Sequence, residues 1–517
     1  MKGHLLFKDR EARLKHGLTS REDALVRDLG LDALFSAMCQ EDDFLREVAV
    51  STILDSLTDV EAIRYRQAIL RDCIANETTV RDFYQNCLDA IAAEQRHSRF
   101  FFSHSPSSIL SRALSVLEAL MPMLRRLRQA AEASLGHFQS EGFVALFAML
   151  RNELDDRFFG EVGQHLRRLQ FRNGALVSAR LGKGAKSEAI TLRTPLPDNR
   201  PWLARLLGPN GEKYAYNIHP KDENGFRALA AIKSQGINSA ANAMGQSTDH
   251  IVNFFQMLKT ELAFYIGCLN ARTALMAKGL PTCFPSPGAV GESLLTFRGL
   301  YDVNLALISQ EDAVSNDLDA DGKDLLVVTG ANQGGKTTFL HAVGQAQLMM
   351  QAGMFAAGLS FAADLRDRIF THFKREEDAT MSSGKLDEEL ARMGRIVDDM
   401  TRHSLVLFNE SFAATNDREG SEINGQIVSA LVENGVKVVS VTHLYEFARR
   451  FHDAAMKGAI FLRADRREDG TRTFKIREGA PLQTSFGEDL YEEIFDEAAA
   501  TPGPRAEVAI AGHGSLP

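Results

Sequence analysis

From about residue 20 to residue 160, apolar positions recur every three or four residues with little proline or glycine punctuation. Ile63, Ala68, Ile69 and Leu70, then Leu110, Ala113, Leu114, Leu117 and Leu120, carry that spacing. It lays an apolar stripe along a 3.6-residue helix, so this stretch predicts an assembly of helices. Around Leu169 to Leu192 the pattern changes to short runs broken by glycines, "LQFRNGALVSARLGKGAKSEAITL", which predicts a small antiparallel ribbon set between helices. Ile251, Phe255, Leu258, Leu262, Tyr265 and Leu269 then restore the helical period, predicting one long amphipathic helix from Asp249 to about Lys278 that joins two halves. "PTCFPSPG", Pro281 to Gly288, marks the boundary.

Beyond it the period shortens. "DLLVVTG" (Asp324 to Gly330), "RIFTHF" (Arg368 to Phe373), "SLVLFN" (Ser404 to Asn409), "KVVSVTH" (Lys437 to His443) and "GAIFLRA" (Gly458 to Ala464) are short β-rich runs, most separated by helical stretches. Buried strands alternating with helices predict a parallel sheet covered on both faces. The expected class is α + α/β: a helical domain over 1–290 with a β insert near 165–195, a parallel-sheet domain over 291–498, and a small-residue, Pro/Gly-rich tail over 499–517 that reads as disordered.

Composition changes this picture little. A chain of 517 residues, 44% hydrophobic and 25% charged, suits a globular protein of two or three domains. The N-terminus has only three consecutive apolar residues within His4 to Phe7, and no later stretch approaches a membrane span, so a cytoplasmic location without membrane contact is expected. Five dispersed cysteines form no CxxC pair and read as core residues. The net charge of -9 means that any nucleic-acid contact would be local. Arg167, Arg168, Arg172, Arg180, Lys183 and Lys186, with no acid until Glu188, give the ribbon region a local basic run; it suits either a DNA contact or a solvated hairpin.

The chemistry gathers at the carboxyl ends of the predicted strands. "GANQGGKT", Gly330, Ala331, Asn332, Gln333, Gly334, Gly335, Lys336 and Thr337, fits GxxxxGK[ST] between an apolar strand and a helix that continues with Thr338. Glycines let backbone N–H groups turn toward phosphate oxygens, and the helix N-terminus adds favourable partial charge. Lys336 would reach the β- and γ-phosphates and Thr337 would ligate Mg2+. "GKGAKS", Gly182 to Ser187, lacks the spacing and reads as a solvated turn.

Such a loop needs a second strand ending in acid, and "SLVLFNE" supplies it. Glu410 would polarise the attacking water and His443, ending the next strand, would contact the γ-phosphate or the water. Asn409 stands where an aspartate is usual, and it offers one metal-side oxygen, acting through water, without the charge. A hydrogen bond to a charged group contributes about 1.5 to 3 kcal/mol against about 0.5 to 1.5 for a neutral one, so the change is on the order of one to two kcal/mol. In the barrier that is roughly tenfold in rate: slower hydrolysis, not its loss.

Together these residues resemble the ATPase domain of the MutS family of DNA mismatch-repair proteins. "TGANQGGKTTFL" resembles that family's TGPNMGGKST loop, "LRDRIFTHF" its DRIFTR strand, "SLVLFNES" its SLVLMDE strand and "VTHLYEF" its ATHYFEL segment. "RTFKIREGAPLQTSFG" (Arg472 to Gly487) is similar to the stretch ending in the family's Ser-Tyr-Gly motif. The match runs from about 295 to 495; upstream, "LDSLTDVEAIRYRQAILRDCIAN" (Leu54 to Asn76) is similar to the start of the family's core and lever helices. The resemblance implies a P-loop ATPase using ATP and Mg2+, acting with DNA in mismatch repair or related repair and recombination. It also implies a homodimer with composite sites, in which Ser382 and Ser383 of "ATMSSGKLDEEL" would serve the partner's nucleotide.

Three departures limit the carry-over. No mismatch-recognition or connector domain precedes the helices, and "DFYQN" (Asp82 to Asn86) only faintly echoes a Phe-x-Glu wedge and reads as helix core. Ala313 in "AVSND" stands where the family has an aromatic that stacks on adenine, which implies weaker base affinity. Asn409 keeps a different class open, an ATP-dependent dimerisation switch that hydrolyses negligibly. An ABC or chromosome-maintenance ATPase is disfavoured by the DRIFT-like strand and the missing LSGGQ signature.

Overall fold

The structure is a computed structural model. It describes residues 1–15, 17–98, 105–171, 174–183, 187–193, 218–310, 312–331, 333–375, 384–467 and 471–482. In chain order the first elements are helices α1 (Ser20–Asp28), α2 (Asp32–Cys39), α3 (Asp43–Leu54), α4 (Val60–Ala75), α5 (Glu77–Ser98), α6 (Pro106–Ala133), α7 (Glu141–Glu153) and α8 (Asp156–Leu169). Strands β1 (Leu176–Leu181) and β2 (Ser187–Arg193) and helix α9 (Glu223–Ala277) follow. Next come β3 (Ser286–Gly288), β4 (Leu295–Leu300), α10 (Val303–Ile308), β5 (Asn316–Asp319), β6 (Leu325–Thr329), α11 (Lys336–Gln351), β7 (Ser360–Asp364) and β8 (Ile369–Phe373). The last are α12 (Lys385–Asp399), β9 (Leu405–Asn409), α13 (Asp417–Glu433), β10 (Lys437–Val441), α14 (Tyr445–Asp453), β11 (Ala459–Arg466) and β12 (Arg472–Glu478). The chain divides into a helical unit (Met1–His16, Phe35–Asp55, Glu61–Thr273) and a sheet unit (Gly17–Leu34, Ser56–Val60, Ala274–Pro517).

In the helical unit, side chains at the helix starts take up backbone donors left over by the helical ladder. Asp42 accepts from Phe44 N and Leu45 N ahead of α3, and Asp155 from Phe158 N ahead of α8. α5 and α6 pack along each other, and Phe83, Phe138, Phe143 and Phe147 form an aromatic cluster beside α7. α6 is long and apolar enough, by length and composition alone, to cross a membrane, which the sequence pattern did not single out. Its apolar stripe, Leu110, Leu114, Leu117, Leu120 and Leu124, is instead buried in this unit as a core helix. Phe83 and Tyr84 of the DFYQN stretch are buried as well. The predicted ribbon is present: β1 pairs antiparallel with β2. The predicted long helix starts well before Asp249, at Glu223. Buried Glu261 accepts from the backbone N–H groups of Leu5, Leu6 and Ala12, so this one carboxylate fastens the N-terminal segment.

The sheet unit holds a six-stranded sheet in the order β12-β11-β6-β10-β9-β8. All five strands expected from the sequence are in it and parallel, and β12 adds to β11 antiparallel at one edge. One face carries the core of α12, α13 and α14, with Val327, Phe370, Val406, Phe408 and Val438 packed against Met393, Val428 and Phe447. A second, four-stranded sheet, β3-β7-β4-β5, was not foreseen from the sequence because its strands are three to six residues long and mostly antiparallel. Phe297 from this sheet lies against Phe339 of α11 and stacks on Phe361. Nearly all of α11 is buried.

The sequence pattern assigned all of 1–290 to the helical domain; the structure places Gly17–Leu34 and Ser56–Val60 in the sheet unit. Buried glutamines on α11 hold them there. Gln345 donates to Leu29 O (2.9 Å), and Gln351 donates to Leu57 O (2.9 Å) while its own carbonyl accepts from Leu57 N (2.9 Å). Thr371 on β8 donates to Asp28 at 2.7 Å, fixing α1 beside the sheet edge.

Candidate functional site

Strand register brings the chemistry to one rim. Val328 pairs with Val441, Val441 with Asn409, and Asn409 with Phe373, so β6, β10, β9 and β8 end together. In parallel α/β sheets, the crevice outside the carboxyl ends of strands is where ligands bind. β6 is interior to the sheet, and the turn that follows it leads directly into α11.

That turn has an unusual backbone. Gly330, Gln333 and Gly335 have φ of 124°, 60° and 88°, all in the left-handed half of the map. A Cβ on Gly334 would stand 2.8 Å from Ala464 Cβ, and one on Gly335 would stand 3.1 Å from Phe474 O. The turn therefore nests against β11 and β12 where only glycine fits. Lys336, the first residue of α11 and 5% exposed, donates from Nζ to Gly330 O (2.7 Å) and Ala331 O (3.1 Å), so its ammonium is folded back over the turn. Glu410 Oε1 is 3.7 Å away. Burial lowers the Lys336 pKa and the Glu410 charge acts against that fall.

Asn409 ends β9 and Glu410 follows it with φ of 54°. Thr337 Oγ1 donates to Asn409 Oδ1 at 3.2 Å. His443 N donates to Glu410 Oε2 at 3.2 Å, and the His443 ring, through Nδ1, pairs with the same oxygen. Burial pushes the Glu410 carboxyl upward, but the His443 hydrogen bond and charge and the Lys336 charge together bring it below the ordinary carboxylate range. His443 is raised chiefly by its bond to Glu410, against the opposing effect of burial. A carboxylate between an ammonium and an imidazole, at the rim of a sheet, is equipped to hold and orient a polar ligand or water.

The hydroxyl of Thr337 and the amide oxygen of Asn409 are neutral oxygen donors on adjacent elements, a set that suits a hard cation such as Mg2+, which keeps several waters. Among the described residues no three His, Cys, Asp or Glu side chains gather as a metal cluster. A cation held beside Thr337 would therefore draw its remaining ligands from water or bound phosphate oxygens.

The structure thus brings together Gly330, Ala331, Gln333, Gly334, Gly335, Lys336, Thr337, Asn409, Glu410 and His443, with Thr338 half-buried in the first turn of α11. Asn332, Ser382, Ser383, Arg172 and Lys186 lie outside the described residues. Arg167, Arg168, Arg180 and Lys183 are exposed in the helical unit, and Arg180 pairs across the ribbon with Glu188, the acid that ends the basic run. Ala313 is half-buried on the segment before β5, where neighbouring Ser315 accepts through its carbonyl from Lys475.

Three contributors lie within stretches that carry the resemblance, yet none was assigned a role from the sequence. Arg472 on β12 donates to Gln333 Oε1 at 2.8 Å and pins the glycine turn from the far edge of the sheet. Lys475, two strand positions beyond Thr473, fastens the segment ahead of β5. His372, fully buried in β8, contacts Ser411 Oγ at 2.8 Å, and burial and the Arg392 charge push it down to about 3, so it stays neutral. A polar residue inside an otherwise apolar strand run was the one available hint for His372.

Fold and rim together define an α + α/β protein whose sheet unit presents a glycine turn and a Lys/Glu/His cluster. Comparison with known proteins is consistent with that class and narrows it. A family model described as MutS2 N-terminal domain matches residues 58–278, and one described as MutS domain V matches residues 326–493. The chain is similar to Endonuclease MutS2 of Thermus thermophilus, 26% identical over 362 residues, which cover 65% of this chain and 46% of that protein. It is similar to the DNA mismatch repair protein MutS of Chlorobium chlorochromatii, 27% identical over 239 residues (44% of this chain, 27% of that protein). It also resembles the protein of the same description from Thermotoga neapolitana, 35% identical over 136 residues (26% and 17%). The chain belongs to the MutS family. Its matched part spans less than half the length of these relatives.

Proposed function

We propose that this protein is a MutS-like ATPase of the cytoplasm that binds and hydrolyses ATP with Mg2+ and acts as a homodimer on DNA, in mismatch repair or related repair and recombination. The reading rests above all on one observation: Lys336 and Thr337 at the start of α11 stand against Asn409, Glu410 and His443 at the ends of β9 and β10. In the proposed chemistry the turn from Gly330 to Gly335 cradles phosphates with backbone N–H groups, and Lys336 swings from the Gly330 and Ala331 carbonyls to the β- and γ-phosphates. Thr337 and Asn409 hold the magnesium side, where the ion would neutralise phosphate charge. Glu410 orients the attacking water and accepts its proton, while His443 holds Glu410 and faces the γ-phosphate. Arg167, Arg168, Arg180 and Lys183 are the proposed DNA contacts in the helical unit, and the segment with Ser382 and Ser383 is proposed to complete the partner's site.

A second reading, an ATP-dependent dimerisation switch without turnover, is favoured by Asn409, whose neutral oxygen binds a metal more weakly than a carboxylate. Turnover assays with and without duplex, mismatched and branched DNA separate the two. Glu410→Gln is expected to lower turnover by about a hundredfold or more while nucleotide binding persists, and Asn409→Asp to raise it roughly tenfold. Wild-type protein without turnover beside a hydrolysing Asn409→Asp variant would establish the switch instead. DNA that neither binds at low salt nor changes the rate would remove the DNA assignment.

A further inference from the structure

The sheet unit holds a second concave site, built on β8, α1 and α12. A cavity of about 440 Å³ there is lined by Arg21 and Arg27 of α1, by Arg375 just after β8, and by Arg392 and Arg395 of α12. Phe370, Thr371 and Ile396 supply the rest of its inner wall, and the acids along it are Asp23 and Asp399. None of these residues belongs to the Lys336 site. Among the described residues, five arginines against two aspartates is a local charge of +3, in a chain whose net charge is -9.

The acids do not neutralise the arginines. Asp399 is taken by Arg368 at 2.7 Å, and Arg27 by Asp28 at 3.2 Å. Among the described residues Arg21, Arg375 and Arg395 have no carboxylate partner, Arg21 having only the Phe370 ring at 6.0 Å. Arg392 is more than nine-tenths buried. It donates to Phe373 O at 2.6 Å, yet its Nε has no partner among the described residues. Burial, and then the like charge of Arg375, lower its pKa to about 10. Asp28, Glu389 and Glu388 offset that fall only in part. Holding several guanidinium groups together with so little counter-charge is unfavourable, and leaving a buried N–H unpaired adds to it. Planar guanidinium forks match phosphate oxygens, and about 440 Å³ falls within the range of small-ligand sites.

We propose that this cavity binds a small anion carrying two or more linked phosphate groups, either a free oligophosphate or the phosphate tail of a nucleotide. Arg392 holds the ligand at the inner wall, with Arg21, Arg375 and Arg395 closing on it from α1, β8 and α12. The site also reaches the rim described above. Arg392 touches His372 (3.3 Å), His372 bonds Ser411, and Ser411 follows Glu410, so an occupied cavity bears on the strand end that carries the acid.

The test uses the full chain carrying Lys336→Ala, which silences the first site, with tripolyphosphate and ADP as separate probes in equilibrium dialysis at low salt. Saturable binding of at least one probe is expected, weakened tenfold or more by Arg21→Ala with Arg395→Ala. Binding of tripolyphosphate alone identifies a free oligophosphate site; tighter binding of ADP identifies a nucleotide tail. Should the double variant lose its circular dichroism signal, Arg395→Glu, a reversal on an exposed residue, replaces it with the same expected loss. The proposal is overturned if neither probe saturates, if the arginine changes leave binding intact, or if they weaken only duplex oligonucleotide binding. With Lys336 present, Arg21→Ala with Arg395→Ala leaves the ATP affinity of the first site unchanged. Persistence of that ATP binding in Lys336→Ala would count against the proposed function and not against this cavity.

Discussion

Glu410 occupies a left-handed backbone conformation at the end of β9, a value that residues other than glycine hold only where their surroundings enforce it. Its amide donates to Val441 O at 2.9 Å and its side chain joins His443, so β10 supplies the enforcement. The pair makes a pH prediction. Raised His443 contributes stability that is fully present below the unfolded histidine value and lost as pH rises through its folded value. Depressed Glu410 contributes stability present above the unfolded carboxylate value and lost as pH falls through its folded one. The contribution is therefore largest between about pH 4.3 and 6.5, the unperturbed values of the two groups. Histidine NMR should show His443 titrating above the range of a free imidazole in the wild type and returning toward it in Glu410→Gln. Buried His372, pushed to about 3, acts in the opposite sense: the unfolded chain takes up a proton first, so stability falls as pH drops below about 6.5. A His443 resonance that titrates below the free value would sink the assignment of the pair.

At the scale of elements, the glycine turn was legible because its signal is local: glycines at fixed spacing, then lysine, between an apolar run and a helix. Its reason is partly distant. Gly334 and Gly335 face Ala464 and Phe474, so the turn is shaped by β11 and β12, whose sequences lie well over a hundred residues on. Gly335→Ala should cost about 1–2 kcal/mol from the left-handed backbone alone, read as a fall in unfolding midpoint, and should weaken nucleotide binding further by shifting the turn. Gly136→Ala, also at positive φ but in open space, supplies the comparison: it carries the backbone cost without a clash. Equal effects of both changes on nucleotide binding would show that the packing against β12 is unimportant. The four-stranded sheet escaped the sequence pattern for a related reason. Strands as short as Ser286–Gly288 have too few residues to express a period, and their pairing is set by neighbours far along the chain.

For the whole molecule, nucleotide binding and folding are linked. A non-hydrolysable ATP analogue at a hundred times its dissociation constant should add about 2.7 kcal/mol to the stability of the folded state. Calorimetry should show the corresponding rise in the sheet unit's melting temperature, and its absence in Lys336→Ala. The helical unit depends on a different lock. Glu261→Ala leaves the buried N–H groups of Leu5 and Leu6 unpaired, each costing about 1–3 kcal/mol. Limited proteolysis should then cut within the first fifteen residues, and an unchanged digestion pattern would refute the lock. What the sequence determined by itself was whatever is written in short-range periodicity and turn chemistry: a helical half with a ribbon, five parallel strands, and a rim bearing Lys336, Asn409, Glu410 and His443. Tertiary structure alone decided that Gly17–Leu34 and Ser56–Val60 join the sheet, that Arg472 braces the glycine turn, and that arginines from three elements line one cavity. Each rests on single polar side chains whose partners lie far away in sequence: 316 residues for Gln345 and Leu29, 343 for Thr371 and Asp28, 139 for Arg472 and Gln333. Periodicity cannot carry such pairings, because only burial of both groups in the folded chain makes leaving them apart costly.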